Sequence, residues 1–196
     1  SAGPARRRER VVDEVQVARY DRVFKAYEGP TGDLTWESFS AHIDRLAELR
    51  GVAPDSPEAT RLRAGLRAYW GQLCAGADVD HDGRVSLEEW RAFCNGMTEV
   101  VRQTAAAGGE FPLTGWIQAL YAIIDADGDG RITQQEYTEW LDVLGLAADT
   151  DIDAAFAGFD TDHNGTLSWE EFARASEQYW SDFDDLTLPG ARWIGP

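Results

Sequence analysis

A twelve-residue pattern rich in aspartate occurs three times in this 196-residue chain, at residues 78–89, 125–136 and 160–171. In each copy an aspartate stands at position 1, acidic or amide residues follow at positions 3 and 5, glycine occupies position 6 and glutamate position 12. Apolar residues at steps of three and four flank every copy, which is the spacing of an amphipathic helix. The pattern therefore indicates an internal repeat of helix–loop–helix units.

The repeated pattern matches the calcium-binding loop of EF-hands, D-x-[DN]-x-[DN]-G-x5-E. Ca²⁺ takes about six to eight oxygen ligands, which side chains at positions 1, 3 and 5, the carbonyl of position 7 and both carboxylate oxygens of position 12 can supply. Glycine at position 6 permits the sharp turn, and position 9 ligates directly or holds a water. We therefore predict three calcium ions in three loops. Their ligands are Asp78, Asp80, Asp82, Arg84 and Glu89 in loop 2; Asp125, Asp127, Asp129, Arg131 and Glu136 in loop 3; and Asp160, Asp162, Asn164, Thr166 and Glu171 in loop 4.

A fourth hand is expected because EF-hands work in pairs, with the apolar position 8 of one loop meeting that of another in a short antiparallel contact. Placing Gly32 at position 6 makes residues 27–38 this fourth loop, loop 1, with Leu34 at position 8. Its ligand positions hold no acidic side chain: they are Tyr27, Gly29, Thr31 and Ser38. We expect hand 1 to bind no metal and to serve as a scaffold for hand 2.

The apolar periodicity along the chain predicts about eight helices and no long strand, which defines an all-α protein. We expect two EF-hand pairs in one compact globule, with hands 1 and 2 over residues 11–104 and hands 3 and 4 over residues 112–181. Residues 1–10 carry four Arg and one Glu. They are predicted to form a basic, solvated N-terminal tail, with a docking segment as the alternative. Residues 182–196 form a C-terminal segment.

The charge of the chain excludes several classes of partner. Its 35 Asp and Glu outnumber its 18 Lys and Arg, which gives a formal net charge of −17. Nucleic acids and anionic membrane surfaces need a basic surface, so neither is expected as a partner. No apolar run approaches the ~18 residues of a membrane span. A multivalent cation is the partner that such a chain favours.

The cysteines and the basic residues bear on where the protein acts. Cys74 and Cys94 are too few for a disulfide framework, and no leader segment is recognised at the start of this sequence, so we predict a reducing cytoplasm. Both cysteines are expected to be core thiols, with a regulatory disulfide as the alternative. Lys25 is the single lysine among the basic residues, and alanine is abundant, which favours a GC-rich bacterial genome. We expect a monomer, with no protein partner indicated.

The chain as a whole resembles the sarcoplasmic calcium-binding protein group, including its calerythrin-like bacterial members. Four hands of which one lacks ligands, together with this length and the many aromatic residues, carry the resemblance. It implies a single globule whose two halves pack their apolar faces together. Calcium-regulated photoproteins resemble the chain more distantly through the same plan.

Light-emitting chemistry is not expected, because photoproteins use a histidine one turn before a tryptophan in the last helix. Trp180 is present here, but Ser176 stands at the place of the histidine. Of the three histidines, His81 and His163 occupy loop position 4 and should face solvent. His42 lies beside the apolar stripe of Phe39 and Ile43 and is expected at the edge of its helix, with a place in the core as the alternative.

The composition of the apolar faces favours a calcium buffer or transporter over a calcium sensor. A sensor exposes an adaptable apolar groove that is usually lined by methionine, whereas this chain has 8 Trp, 6 Tyr and 8 Phe but only one methionine, Met97. No nucleophile–base pair or cofactor loop predicts an enzyme. A sensor with a partner-binding surface and a calcium-linked carrier of a small apolar ligand remain alternatives. The cavity walls of a carrier would be Trp36, Trp70, Trp116 and Trp140.

Overall fold

The computed structural model describes residues 4–181, and within them the side chains of residues 14–180. In this part of the chain there are eight α-helices and four two-residue strands, with one strand between the two helices of each hand, and a 3-10 turn, Ala147–Asp149, follows the sixth helix. The all-α class predicted from the sequence is confirmed. The elements are α1 Pro4–Tyr27, β1 Leu34–Thr35, α2 Trp36–Leu49, α3 Pro57–Ala77, β2 Arg84–Val85, α4 Leu87–Ala106, α5 Thr114–Ile124, β3 Ile132–Thr133, α6 Gln134–Val143, α7 Ile152–Phe159, β4 Thr166–Leu167 and α8 Trp169–Ser181.

The four short strands join the hands in two pairs. β1 lies antiparallel to β2 with Leu34 opposite Val85, and β3 lies antiparallel to β4 with Ile132 opposite Leu167. These four position-8 side chains are all buried. The expected fourth hand and the pairing through position 8 are therefore confirmed, since loop 1 supplies the strand that loop 2 needs.

The glycine at position 6 adopts the same left-handed conformation in every loop, loop 1 included. Side chains with a Cβ are strained there, and glycine is not. The φ angles are +84° at Gly32, +81° at Gly83, +84° at Gly130 and +82° at Gly165. Loop 1 therefore keeps the turn of the other three loops.

A single apolar core joins the two pairs. Across the seam between them, α3 packs along α5, α2 packs on α6 and α4 packs on α8, while α5 contacts α8 within the second pair. Aromatic rings fill this seam: Tyr69 of α3 stacks on Trp116 of α5 at a centroid distance of 4.9 Å, and Trp116 lies 5.5 Å from Trp180 of α8. The predicted packing of the two halves into one globule is confirmed.

The first helix begins earlier than the sequence indicates. Residues 4–10 lie within the segment predicted as a basic tail, yet they form the start of α1. Proline is favourable at the first helical position, and the alanine, arginine and glutamate residues that follow are good helix formers. Residues 1–3 and the C-terminal segment 182–196 lie outside the described residues.

Candidate metal centres

Three carboxylates converge in each aspartate-rich loop. One oxygen from each of positions 1, 3 and 12 lies within 4.8 Å of the other two. Like charges at this distance repel one another, and a cation among them removes the repulsion. Oxygen donors of this kind suit hard cations such as Ca²⁺. The clusters are Asp78, Asp80 and Glu89; Asp125, Asp127 and Glu136; and Asp160, Asp162 and Glu171.

The position-1 aspartate ends the entering helix of each hand, and the loop backbone folds around its carboxylate. The N–H of the position-6 glycine donates to it in all three loops. The distances are 3.1 Å from Gly83 to Asp78, 3.0 Å from Gly130 to Asp125 and 2.8 Å from Gly165 to Asp160. Burial raises the pKa of Asp125. The first ligand is thus held in place by the same turn that glycine permits.

The position-12 glutamate spans each loop from end to end. In loop 4, Oε1 of Glu171 accepts from the Thr161 N–H at 2.8 Å, and Oε2 accepts from the Ser168 N–H at 2.9 Å. Burial alone would raise the pKa of Glu171, but these hydrogen bonds outweigh it and lower the pKa to about 2. The pKa of Glu89 is also lowered, chiefly by the backbone hydrogen bond from Ser86. These glutamates are therefore anionic at neutral pH and available to a cation.

The position-9 hydroxyls, Ser86, Thr133 and Ser168, cap the exiting helices. Each accepts from the backbone N–H of the position-12 glutamate and donates to its carboxylate, at 2.8 Å in loop 2, 2.8 Å in loop 3 and 2.9 Å in loop 4. This is a capping box, and it places the glutamate on the first turn of the helix.

Positions 5 and 7 are placed differently from the three converging carboxylates. Asp82 and Asp129 do not belong to the 4.8 Å clusters. The side chains of Asp82, Asp129 and Asn164 instead accept from the backbone N–H two residues later, at 2.8, 2.8 and 2.9 Å. Those N–H groups belong to the position-7 residues Arg84, Arg131 and Thr166. The structure therefore gathers three of the five predicted ligand positions in each loop and holds position 5 in a turn beside them.

Loop 1 is closed without carboxylates. Among the described residues, none of loop 1 belongs to a cluster of three potential ligands. Its position-1 residue, Tyr27, is buried and stacks on Phe39 at a centroid distance of 4.5 Å. At the other end of the loop the Ser38 hydroxyl accepts from the Thr35 N–H at 3.0 Å, in the place of a glutamate carboxylate.

Sequence reasoning missed a tyrosine that ties loops 3 and 4 together. The hydroxyl of Tyr121 lies 2.7 Å from the carbonyl oxygen of Gly130 and 3.0 Å from that of Leu167, and it donates to them. Burial raises the pKa of this phenol. In the sequence, the feature that could have indicated Tyr121 is its place four residues before loop 3. At that place only hand 3 has a phenol, because the other hands have Val23, Cys74 and Phe156.

The aromatic interior contains two small cavities. One is lined by Tyr27, His42 and Trp140 among others, and the second by Trp116, Trp140 and neighbouring residues. Each leaves about 20 Å³ for the centre of a water molecule, which is room for about one water. Neither Trp36 nor Trp70, two of the four predicted wall residues, lines these cavities.

The three histidines lie in two kinds of environment. His81 and His163 are exposed at loop position 4, as predicted, with φ angles of 60° and 57°. His42 is half-buried on α2. Its Nδ1 lies 2.6 Å from the Ser38 carbonyl oxygen, and its ring is 5.2 Å from that of Tyr27.

The two cysteines are free thiols. Cys94 is fully buried, and burial raises its pKa well above the ordinary value. Cys74 is half-buried, and burial is the main reason why its pKa rises to about 11. Thiols protonated at neutral pH are weak nucleophiles and poor metal ligands.

Within residues 4–181 no helix combines the length and the apolar character that crossing a membrane requires.

Comparison with known proteins agrees with this geometry. Calerythrin from Saccharopolyspora erythraea is 24% identical over 159 residues, which cover 81% of this chain and 88% of that protein. The structure of a Streptomyces coelicolor calcium-binding protein superposes on this chain with a TM-score of 0.65 and 25% sequence identity. The match covers 86% of this chain and 97% of that protein, whose structure is described as the basis for prokaryotic calcium-mediated regulation. Calcium-loaded apo-aequorin from Aequorea victoria shares the fold, with a TM-score of 0.61 and 20% identity over 84% and 90% of the two chains.

The family comparison covers loops 2 to 4. The model of the EF-hand domain pair matches residues 76–142 and again residues 116–177. Together these matches span more than half of the chain and contain all three carboxylate clusters. The protein binds calcium through its EF-hand loops, and the chain belongs to the EF-hand domain pair family.

Proposed function

We propose that this protein is a calcium buffer that holds three Ca²⁺ ions, one in each of loops 2, 3 and 4. The observation that carries the proposal is the threefold convergence of carboxylates from positions 1, 3 and 12. The side chains at position 5 and the carbonyls at position 7 complete each ligand set. An all-oxygen, anionic donor set fits Ca²⁺, a hard cation with flexible coordination.

The closed apolar core supports buffering over signalling. A sensor presents a continuous apolar groove when calcium binds. Here the large apolar side chains that are exposed in the described part of the chain are far apart in the sequence: Leu49 is on α2, Val79 in loop 2 and Val100 on α4. The single methionine, Met97, is half-buried on α4. The aromatic seam that joins the two pairs is packed, and a sensor would have to widen the cleft of about 270 Å³ beside it, which is lined by Phe93, Met97 and Trp116 among others.

Calcium-dependent regulation is the second candidate role. It is favoured by the Streptomyces coelicolor protein, which is similar over 86% of this chain and is described as regulatory. A carrier of an apolar ligand is the third candidate: the two cavities beside Trp140 have room for about one water each, and a cleft of about 270 Å³ lies beside Phe93, Met97 and Trp116. We further propose that the protein acts as a monomer in the cytoplasm of a bacterium. The two free thiols are compatible with a reducing compartment.

Calcium titration calorimetry, with a fluorescent dye for exposed apolar surface in the same sample, tests the proposal. We expect three sites and no increase in dye fluorescence. Glu89→Ala, Glu136→Ala and Glu171→Ala should each remove one site. Ser38→Ala, the same truncation at position 12 of loop 1, should leave all three. Fewer than three sites in the parent would refute the ligand assignment, and a bright dye signal on calcium addition would favour the regulatory role.

A further inference from the structure

Arg50 connects the first EF-hand pair to the second through three hydrogen bonds. It follows α2, the exiting helix of hand 1, as the C-cap residue. Its Nε donates to Oε2 of Glu139 at 2.9 Å, and its two terminal nitrogens donate to the carbonyl oxygens of Ile123 at 3.3 Å and Ile124 at 3.1 Å. The side chains of Arg50 and Glu139 are only 6% and 18% exposed.

These partners belong to the two helices that flank loop 3. Ile123 and Ile124 end α5 directly before Asp125, the first residue of the loop. Glu139 lies on α6, three residues after Glu136, the last residue of the loop. One guanidinium from hand 1 therefore contacts both the entering and the exiting helix of hand 3.

The contacts suit the chemistry of both helices. The last carbonyls of a helix lack partners within the helix, and a cation at that end also interacts favourably with the helix dipole. The planar guanidinium presents several donors in a fixed arrangement, so it can serve two carbonyls and a carboxylate together. Because Arg50 is paired with Glu139, the buried contact adds no net charge beside loop 3.

We propose that Arg50 is a positioning residue through which the metal-free hand 1 sets the calcium affinity of loop 3. By fixing α5 relative to α6 before calcium arrives, the contact reduces the conformational freedom that binding must remove. Hand 1 thus supports two loops, loop 2 through the β1–β2 pair and loop 3 through Arg50. The inference rests on the proposed binding of calcium by loop 3.

The test uses a double variant, Arg50→Met together with Glu139→Gln, which removes both charges and leaves the local net charge unchanged. A change in calcium affinity then reports positioning and not electrostatic attraction. The amides of Gly83, Gly130 and Gly165 follow the three loops separately in a calcium titration by ¹H–¹⁵N NMR, because each donates to a position-1 aspartate.

We expect the calcium midpoint of Gly130 to rise about five- to tenfold in the double variant, while that of Gly83 stays unchanged. A second readout needs no calcium. The Asp125 N–H donates to the Tyr121 carbonyl at 2.9 Å in the last turn of α5, and its hydrogen exchange in calcium-free protein should become faster. Arg50→Lys, which keeps the charge but not the planar set of donors, should change both readouts in the same direction.

Lys25→Met is the control, since it removes an ion pair to Glu28 in which the lysine side chain is 67% exposed. It should change neither readout. An unchanged Gly130 midpoint in a folded double variant, or equal changes in all three loops, would overturn the role of Arg50. If the double variant does not fold, Arg50→Lys decides by the same criteria. If Gly130 of the parent does not respond to calcium, the ligand assignment of loop 3 fails, and the role of Arg50 fails with it.

Discussion

Loops 1 and 2 lie side by side and share a two-stranded sheet, yet only loop 2 brings carboxylates together. Both have the left-handed glycine at position 6, a buried apolar residue at position 8 and a capping hydroxyl at position 9. They differ at positions 1, 3, 5 and 12, where loop 1 has lost every carboxylate. The fold of an EF-hand and its metal site therefore depend on separate residues of the same loop.

The loss of ligands in loop 1 has a structural counterpart at each end. Tyr27 at position 1 has become part of the aromatic core, and Ser38 at position 12 closes the helix cap with a neutral hydroxyl. Loop 2 has Asp78 and Glu89 in these places. At these positions the residues of loop 1 contribute to packing and capping, whereas those of loop 2 carry negative charge. Substitutions that place the residues of one loop in the other should therefore affect folding and calcium binding to different extents.

The largest effect is expected from Tyr27→Asp, which restores the position-1 residue of loop 2 in loop 1. The variant loses a buried aromatic ring, which costs about 3–5 kcal/mol, and it also places a carboxylate in the apolar core. Calcium will not recover this loss, because positions 3, 5 and 12 still lack ligands. Denaturant unfolding with and without calcium measures both points, with Tyr27→Phe as the matched variant that keeps the ring. A fourth calcium site in Tyr27→Asp would contradict this view of loop 1.

The second-largest effect is expected from Leu34→Ala, because it removes the apolar side chain of loop 1 that lies opposite loop 2 in the β1–β2 pair. Leu34 is 1% exposed and lies opposite Val85, so we expect a loss of about 3 kcal/mol in the free energy of unfolding. The calcium affinity of loop 2 should fall, while loops 3 and 4 keep theirs. Leu49→Ala makes the same substitution at a leucine that is 51% exposed and should stay within about 0.5 kcal/mol of the parent. Equal losses in both variants would refute the scaffold role of hand 1.

Lowering the pH should weaken the helix caps formed by the position-12 glutamates. The cap of hand 1, which contains the neutral Ser38, should not depend on pH. The pKa of Glu171 is about 2, below its ordinary value of 4.5. The stabilisation by its ionised form is therefore complete above pH 4.5 and disappears as the pH falls through 2. In calcium-free protein the stability difference between the parent and Glu171→Gln, about 2 kcal/mol at neutral pH, should shrink across this range. The difference between the parent and Ser38→Ala should stay constant, and a constant difference for Glu171→Gln would show that its carboxylate does not cap the helix.

The loops themselves are the part of this molecule that the sequence predicts best, because each is specified within twelve residues. A glycine at position 6 and an apolar residue at position 8 identified loop 1 even without ligands, and the β1–β2 pair confirmed the register. The converging carboxylates of loops 2 to 4 follow from the same local pattern. Local turns and caps are decided by neighbouring residues, so a single sequence contains the information.

The contacts between hands could not be predicted in the same way. From the sequence alone, Arg50 is a charged residue at the end of its own helix. In the structure its partners are Glu139 and two backbone carbonyls, all more than seventy residues away in the sequence. Such contacts depend on how the two pairs are placed, and no periodicity in the sequence encodes that placement.

The smallest effect on stability is expected from Tyr121→Phe, which tests how the pair of loops 3 and 4 differs from the pair of loops 1 and 2. Its hydroxyl joins Gly130 of loop 3 to Leu167 of loop 4, whereas the equivalent position of hand 2 is Cys74. Phenylalanine keeps the ring, so the free energy of unfolding should fall by only about 1 kcal/mol.

The more specific consequence of Tyr121→Phe is weaker coupling between the two loops. Calcium bound in one should assist the other less, because the hydroxyl no longer holds their backbones together. Calorimetry of the parent and the variant measures the cooperativity of the second pair. Tyr69→Phe removes a phenolic hydroxyl from the stack on Trp116 and should leave cooperativity unchanged. If both variants behave alike, the β3–β4 pair alone couples the loops, and the second pair communicates in the same way as the first.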